Sequence, residues 1–441
     1  MTARPRRRTL LGMKPLVLIV DDEQGILTTL SHVLEDEGFR TVTTRSGEEA
    51  LRLYRRRHPD AVFLDIWLPD RDGLETLRML REIDPDAAVI MISGHGTAPT
   101  AVSAIKMGAY DYLEKPLAYT RVLEALNGAL ATKSARAGAG EPHLDFAKGS
   151  EKARRYLPPP ELPLLQATGA PQRTIREATV IYGLGLHSGS RTGMAIQPLP
   201  PNSGIHFLTL PKGTQIPAHL DSVAETEYAT TLSREGESIR TVEHLLAALH
   251  ALGITNLLAK VHGEIPVLDG SALGFCERLA EAGIEDQDAA RKELVIDRRY
   301  EISGGGGKSL AIEPGETFSV SYRLSYPPPV GEQFYEFTLS PGAFEKEIAP
   351  ARTFGFMRDL PMMNELGLGS GGRLDNCILV GEDGVINTEL RFPDEFVRHK
   401  ILDIIGDLYL LGYPVRGKVT ANLTGHRDNI KLQRAILGAS A

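Results

Sequence analysis

The run from Glu395 to Leu408 reads as a helix that must be buried, yet it carries polar groups where apolar ones would pack better. His399, Asp403 and Asp407 recur at i, i+4 and i+8, with Lys400 beside them. At about 100° per residue these four fall within an arc of roughly 100°, while Ile401, Leu402, Ile405 and Leu408 face elsewhere. Burying such groups without partners is strongly unfavourable. The chain is therefore constrained to a fold that brings partners to this stripe. A histidine and a carboxylate one turn apart can hold one metal ion from a single helix face. A catalytic metal site accounts for the pattern.

A chain of 441 residues is long enough for two or three domains, each with its own core. Only two cysteines are present, Cys276 and Cys377, which excludes a disulfide scaffold and any Cys-rich zinc module. Any metal must use histidines and carboxylates. The net charge of −8 argues against general nucleic-acid binding. No stretch approaches the ~20 apolar residues that span a bilayer. The basic start at Arg4, Arg6, Arg7 and Arg8 leads into a strand, Leu16–Val20, followed by two aspartates, and not into a signal-peptide core. The expected location is cytoplasmic.

Apolar strands alternate with helix-sized segments from residue 14 to residue 130: Leu16–Val20, Arg40–Thr44, Ala61–Leu64, Ala88–Ile92 and Tyr110–Leu113. That alternation predicts an α/β doubly wound, five-stranded parallel sheet. Residues 131–171 lack a sustained apolar period and contain Ala-Gly-Ala-Gly and Pro158-Pro159-Pro160, so a flexible or extended linker is expected. Beyond it the texture becomes α+β, with helices expected at Thr241–Leu252 and Ala272–Ala282, then at Met357–Glu365 and Glu395–Leu411.

Acidic residues close the first and third strands: Asp21 and Asp22 after Val20, and Asp65 after Leu64. This edge of a parallel sheet is where ligands bind. Carboxylates gathered there repel one another and invite a hard divalent cation such as Mg²⁺. Ser93 and Lys115 close strands four and five, placed to receive the oxygens of a phosphoryl group on Asp65. With Leu-Pro-Asp-x-Asp-Gly73 and Ile-Ser-Gly-His-Gly-Thr97, this pattern resembles the flavodoxin-like receiver domain of bacterial response regulators of the nitrogen-regulation type. The resemblance implies phosphorylation of Asp65 by a cognate histidine kinase and Mg²⁺ held with Asp21 and Asp22. It further implies that Ser93, Tyr112 and Lys115 report the state, and it is compatible with a receiver-mediated dimer.

In the remainder, Glu243 and His244 stand side by side near a helix start. His244 would complete a His₂-Asp set with His399 and Asp403, leaving one zinc position open for water. Such an ion makes water a nucleophile near neutral pH, and Glu243 is then placed to take its proton. His426, on a stretch read as a Gly-preceded loop, is the candidate carrier for the leaving group.

Six motifs occur in order: Gly-Leu-His-Ser-Gly189, Thr-Val-Glu-His-Leu245, Pro-Val-Leu-Asp-Gly-Ser271, Ala-Arg-Thr-Phe-Gly-Phe356, Phe-Val-Arg-His-Lys-x-x-Asp-x-x-Gly-Asp407 and Gly-His-x-x-Asn429. Together they resemble the UDP-3-O-acyl-N-acetylglucosamine deacetylase family, which acts at the committed step of lipid A biosynthesis. The resemblance implies zinc on His244, His399 and Asp403, and Glu243 as general base; iron(II) is the alternative in cells, because a His₂-Asp set with an open position suits either ion. Thr353 and Lys400 would stabilise the oxyanion. His426 would protonate the leaving amine, with Asp407 orienting it and favouring its imidazolium form. It implies two similar α+β layers, assigned to residues 172–290 and 291–441. The stretch Met357–Leu379 would form the acyl-chain passage, with Leu360 and Leu379 lining it. A receiver in front is a departure from the usual free-standing enzyme. The alternative reading is a response regulator whose deacetylase-like body is a non-catalytic binding or scaffolding output, which the complete metal and proton-carrier set argues against.

Gly304-Gly-Gly-Gly-Lys-Ser309 imitates a phosphate-binding loop, but position 302 is Ile and a strand follows, so a hairpin turn is expected. Lys308 on that turn and His187 in the first motif are candidate substrate contacts.

Overall fold

The computed structural model describes residues 14–94, 103–115, 117, 119–136, 156–210 and 212–438. The basic start at Arg4, Arg6, Arg7 and Arg8, the 95–97 part of the fourth-strand motif and the Ala-Gly run at 137–140 lie outside them. The described residues form two compact units.

The first unit is a parallel sheet of β1 (Leu16–Val20), β2 (Arg40–Thr44), β3 (Ala61–Asp65), β4 (Val89–Ser93) and β5 (Asp111–Glu114), in the order β2-β1-β3-β4-β5. β3 and β4 are buried along their whole length, as strands covered on both faces must be, which is why they read as unbroken apolar runs. Both extend one residue past the apolar run, so Asp65 and Ser93 are the last residues of their strands. Ser46 caps the helix Gly47–Arg57 by accepting from the Glu49 N–H, and glutamates in its first turn and arginines in its last complement the helix dipole. A Cβ on Gly73 would lie 2.0 Å from the Asp65 carbonyl oxygen, so only glycine lets the next helix, Gly73–Ile83, start against the end of β3.

The second unit holds two halves with the same connectivity. In the first, the hairpin Thr179–Leu184/Arg191–Pro198 is followed by Ile205–Thr209, the helix Glu243–Leu252, and the strand Leu257–Val261. That last strand runs parallel to Ile205–Thr209 and antiparallel to Arg191–Pro198. In the second, the hairpin Tyr300–Ser303/Ser309–Glu313 precedes Phe318–Ser325, the helix Glu395–Leu408, and Val415–Asn422. Val415–Asn422 is parallel to Phe318–Ser325 and antiparallel to Ser309–Glu313. The two internal helices pack against each other within one continuous apolar core. The Glu395 helix buries all its residues except Arg398 and Lys400, because neighbours cover it on every side. Emptying a site there, as in Leu402→Ala, costs about 2–5 kcal/mol.

Three sequence expectations need correction. The linker is shorter than residues 131–171. The helix Tyr119–Arg136 runs into it, and the strand Leu165–Ile175 begins inside it as an edge strand against Ile284–Val295. An edge strand need not show an apolar period, which hid it. Before that strand, Tyr156–Pro160 already belongs to the second unit: the His206 ring N–H donates to the Leu157 carbonyl at 3.1 Å and the Tyr413 hydroxyl to that of Pro159 at 3.2 Å. Second, His426 opens a helix, His426–Ile436, with Gly425 as N-cap and the Asp428 carboxylate accepting the Gly425 N–H. Third, Met357–Glu365 is not one helix but a 3-10 turn, Met357–Asp359, followed by Leu360–Glu365. This segment joins two short parallel strands, Phe354–Phe356 and Ile378–Val380. The glycine run at 304–307 is the expected hairpin turn, with Ser303 opposite Ser309. Among the described residues, no helix is long and apolar enough to cross a membrane.

Candidate active site

His244 stands at the second position of the Glu243 helix, and His399 and Asp403 lie one turn apart on its packing partner. The three are buried, and each offers a ligand atom within 4.8 Å of the others. Nε2 of His399 is 3.6 Å and Nε2 of His244 4.0 Å from Asp403 Oδ1. The two rings meet edge to face, 5.0 Å between centroids. His399 Nδ1 lies 3.0 Å from the Ala351 carbonyl oxygen. A carbonyl only accepts, so Nδ1 carries the proton and the Nε2 lone pair faces the cluster. Burial, then the neighbouring His399 ring, lowers His244 to about 3, and burial likewise lowers His399. Both are held neutral, the ligand form. Burial works against the Asp403 charge, but Lys400, with the His426 imidazolium adding to it, outweighs burial and keeps the pKa of Asp403 low. Lys400 Nζ donates to Asp403 Oδ2 at 2.6 Å, leaving Oδ1 for the histidines. Two neutral imidazoles and one carboxylate, buried together, are a donor set that fits zinc, and equally iron(II), with a position to spare.

Glu243 and His426 flank this cluster. His426 Nε2 lies 4.0 Å from Glu243 Oε1 and 3.9 Å from Asp403 Oδ2, while its Nδ1 contacts Asp407 Oδ2 at 2.8 Å. Burial opposes an imidazolium there, but Asp407, then Asp403, raise His426 to about 9. Glu243 is pushed up to about 8 by burial, with His426 pulling the other way and Asp407 and Asp403 adding to the rise. Asp407 is fully buried and well supplied with donors: the Thr230 hydroxyl at 2.7 Å, Asn429 Nδ2 at 2.8 Å and, on its backbone carbonyl, Gln433 Nε2 at 2.9 Å. Sequence reasoning missed Thr230 and Gln433. Gln433 was legible one turn beyond Asn429 once the helix is drawn, whereas Thr230 comes from the other half and left no periodic signal.

Thr353 and Lys400 lie on the wall of a cleft of about 1130 Å³ that also exposes Glu243, His244, His399, Asp403 and His426. Thr353 is tied through its N–H to the Gly270 carbonyl at 2.7 Å, and its own carbonyl accepts from the Ile378 N–H. Arg352, the residue before it, forms a buried fork to Glu395 at the start of the helix that carries His399, Nε–Oε1 2.8 Å and Nη2–Oε2 3.1 Å. That pair was also unforeseen. His187, Lys308, Leu360 and Leu379 all line the same cleft. Phe354, Phe356, Leu360, Met363 and Leu379 supply apolar wall, and Lys308, Arg427 and Lys431 supply positive charge.

In the first unit, Asp21, Asp22, Glu23 and Asp65 each offer an oxygen within 4.8 Å of the others. Lys115 Nζ bridges three of them, 2.7 Å from Asp65, 2.9 Å from Asp21 and 3.1 Å from Glu23. Burial raises Asp21 to about 7 against the pull of Lys115. An all-oxygen cluster of this kind fits Mg²⁺. Ser93 is buried at the end of β4, and the Tyr112 hydroxyl is buried on β5. Glu23, adjacent to the two predicted aspartates, is the member the sequence reading left out.

Two family models match the chain: UDP-3-O-acyl N-acetylglycosamine deacetylase over residues 172–438, and response regulator receiver domain over residues 17–127. Among curated proteins, the UDP-3-O-acyl-N-acetylglucosamine deacetylase of Myxococcus xanthus is 42% identical over 271 residues, 60% of this chain and 86% of that one. The protein of the same name from Anaeromyxobacter dehalogenans is 43% identical, covering 61% and 88%. That from Helicobacter pylori is 40% identical, covering 60% and 91%.

Proposed function

The chain belongs to the UDP-3-O-acyl N-acetylglycosamine deacetylase family, and on that premise we propose that it hydrolyses the N-acetyl group of a UDP-linked 3-O-(3-hydroxyacyl)-N-acetylglucosamine, releasing acetate, in lipid A biosynthesis. The observation that carries this reading is the convergence of His244, His399 and Asp403 within 4.8 Å, beside a buried acid–base pair. These three residues would hold zinc, or iron(II) in cells, and the ion supplies a Lewis acid that makes water nucleophilic near neutral pH. Glu243, ionised once a bound cation offsets the burial that raises it, accepts the proton of the attacking water. Thr353 and Lys400 face the oxygen on which negative charge develops as water adds to the acetyl carbon. His426, kept protonated by Asp407, donates to the nitrogen as the C–N bond breaks, so acetate and a free amine leave. The apolar wall with Leu360 and Leu379 suits the acyl chain, while Lys308 and His187 suit the polar end of the substrate. A body kept only for binding would have no need of a buried Glu243–His426–Asp407 array.

The N-terminal unit is read as a phosphorylatable regulator. Asp21, Asp22 and Asp65 would hold Mg²⁺, Asp65 would accept a phosphoryl group from a histidine kinase, and Ser93, Tyr112 and Lys115 would respond to it. Fusion of a switch to a committed step motivates the proposal that phosphorylation tunes the activity or abundance of the enzyme. Deacetylase kinetics on the purified full chain, with and without a phosphoryl donor and alongside Glu243→Ala, test both halves of the reading. Absence of acetate release by metal-replete wild type would overturn the first. Unchanged turnover and oligomeric state after stoichiometric phosphorylation would count against the second.

A further inference from the structure

Thr230 stands just before the strand Thr231–Arg234, in the first half of the second unit, and is completely buried. Its backbone N–H donates to Glu243 Oε2 at 3.1 Å, and its hydroxyl donates to Asp407 Oδ1 at 2.7 Å. The other oxygen of each carboxylate faces His426: Glu243 Oε1 is 4.0 Å from Nε2, and Asp407 Oδ2 is 2.8 Å from Nδ1. One residue thus occupies the far oxygen of both carboxylates and leaves the near ones to the imidazole between them. Glu243 belongs to one half and Asp407 to the other, so neither helix period sets their relation. The Thr230 bridge crosses that divide.

We propose that Thr230 is a positioning residue for the deacetylation, holding the proton acceptor Glu243 and the carboxylate that orients the proton donor His426 in one fixed relation. The inference rests on the deacetylase reading above and goes beyond it. A carboxylate held at one oxygen alone can turn about its terminal torsion, which is broad. Proton transfer tolerates little such drift, since a misplacement near 1 Å costs about 10²-fold in rate. Two donors from one backbone position remove that freedom from both groups at once. The competing explanation is that the threonine merely fills space and satisfies its own hydroxyl. Valine and serine separate the two. Valine keeps the shape and the N–H but loses the hydroxyl, whereas serine keeps both donors and loses the methyl.

The experiment compares wild type, Thr230→Val and Thr230→Ser in the full chain, measuring kcat and KM for deacetylation, bound zinc and thermal midpoint. The valine variant is expected to lose about 10- to 100-fold in kcat at unchanged KM with zinc retained, and its thermal midpoint should fall by roughly a few degrees because Asp407 Oδ1 is left buried without that donor. The serine variant should recover most of that loss. Wild-type kcat in the valine variant, or a serine variant as damaged as the valine one, overturns the proposal. So does a fall in kcat that comes with lost zinc or a raised KM, which marks a structural role. A zinc-loaded wild type that releases no acetate overturns the deacetylase reading itself, and this proposal with it.

Discussion

A Cβ on Gly406 would lie 2.1 Å from the carbonyl oxygen of Glu243. The two central helices therefore touch backbone to backbone where one carries Glu243 and His244 and the other Asp403 and Asp407. Gly406→Ala must push them apart. The expected cost is about 1–3 kcal/mol of stability from overpacking and at least ~100-fold in kcat from the displaced groups. Thermal melts and steady-state kinetics on the variant check this, and full activity would refute the close-approach argument.

Thr353 lines the cleft and its backbone is anchored at both the N–H and the carbonyl, so its side chain can be removed without releasing the strand. Thr353→Ala should lower kcat by about 10²–10³-fold, the usual cost of one oxyanion donor. The thermal midpoint should hardly move. A variant that loses stability and activity together would mark Thr353 as a packing residue.

The pH dependence follows from His426, which keeps its proton up to about 9 because Asp407, then Asp403, outweigh the penalty of burial. A proton donor must be charged, so activity should fall as pH rises through that region. Asp407→Asn keeps an acceptor but removes the charge, and the alkaline limb should move down toward the ordinary histidine value of about 6.5. The raised value also means that this group's contribution to stability is full below about 6.5 and lost as pH climbs through the folded-state pKa. An alkaline limb unmoved by Asp407→Asn would show that another group controls it.

Chelation should abolish acetate release, with recovery on adding Zn²⁺ or Fe²⁺ but not Mg²⁺, because the donor set is two imidazoles and one carboxylate. Ligand binding to the folded state alone stabilises it by about 2.7 kcal/mol at one hundred times Kd. Calorimetry of the second unit's transition should therefore show an upward shift on zinc addition, and Asp403→Ala should erase it.

With Mg²⁺ and a small acyl-phosphate donor, the chain should gain one phosphoryl group, and Asp65→Ala should gain none. Lys115, bridging Asp21, Glu23 and Asp65, should be needed as well. Intact-mass measurement reads the outcome directly. Phosphorylation that persists in Asp65→Ala would place the acceptor elsewhere.

Local sequence determined a good deal. The unbroken apolar runs of β3 and β4 specify a sheet covered on both faces, and the i, i+4, i+8 stripe of His399, Asp403 and Asp407 specifies a helix that cannot be buried without partners. Both are short-range regularities, so composition and period suffice to read them. What tertiary structure alone decided is which partners arrive. Thr230 meets Asp407 across 177 positions, Gly406 meets Glu243 across the helix interface, and the duplicated connectivity of the halves leaves no repeated residues to find. The edge strand at Leu165 and the helix opened by His426 stayed hidden for a related reason: their stability comes from strands and helices far away in the chain. Periodicity reports the face an element buries, but the relation between two carboxylates on different elements is set only when those elements pack.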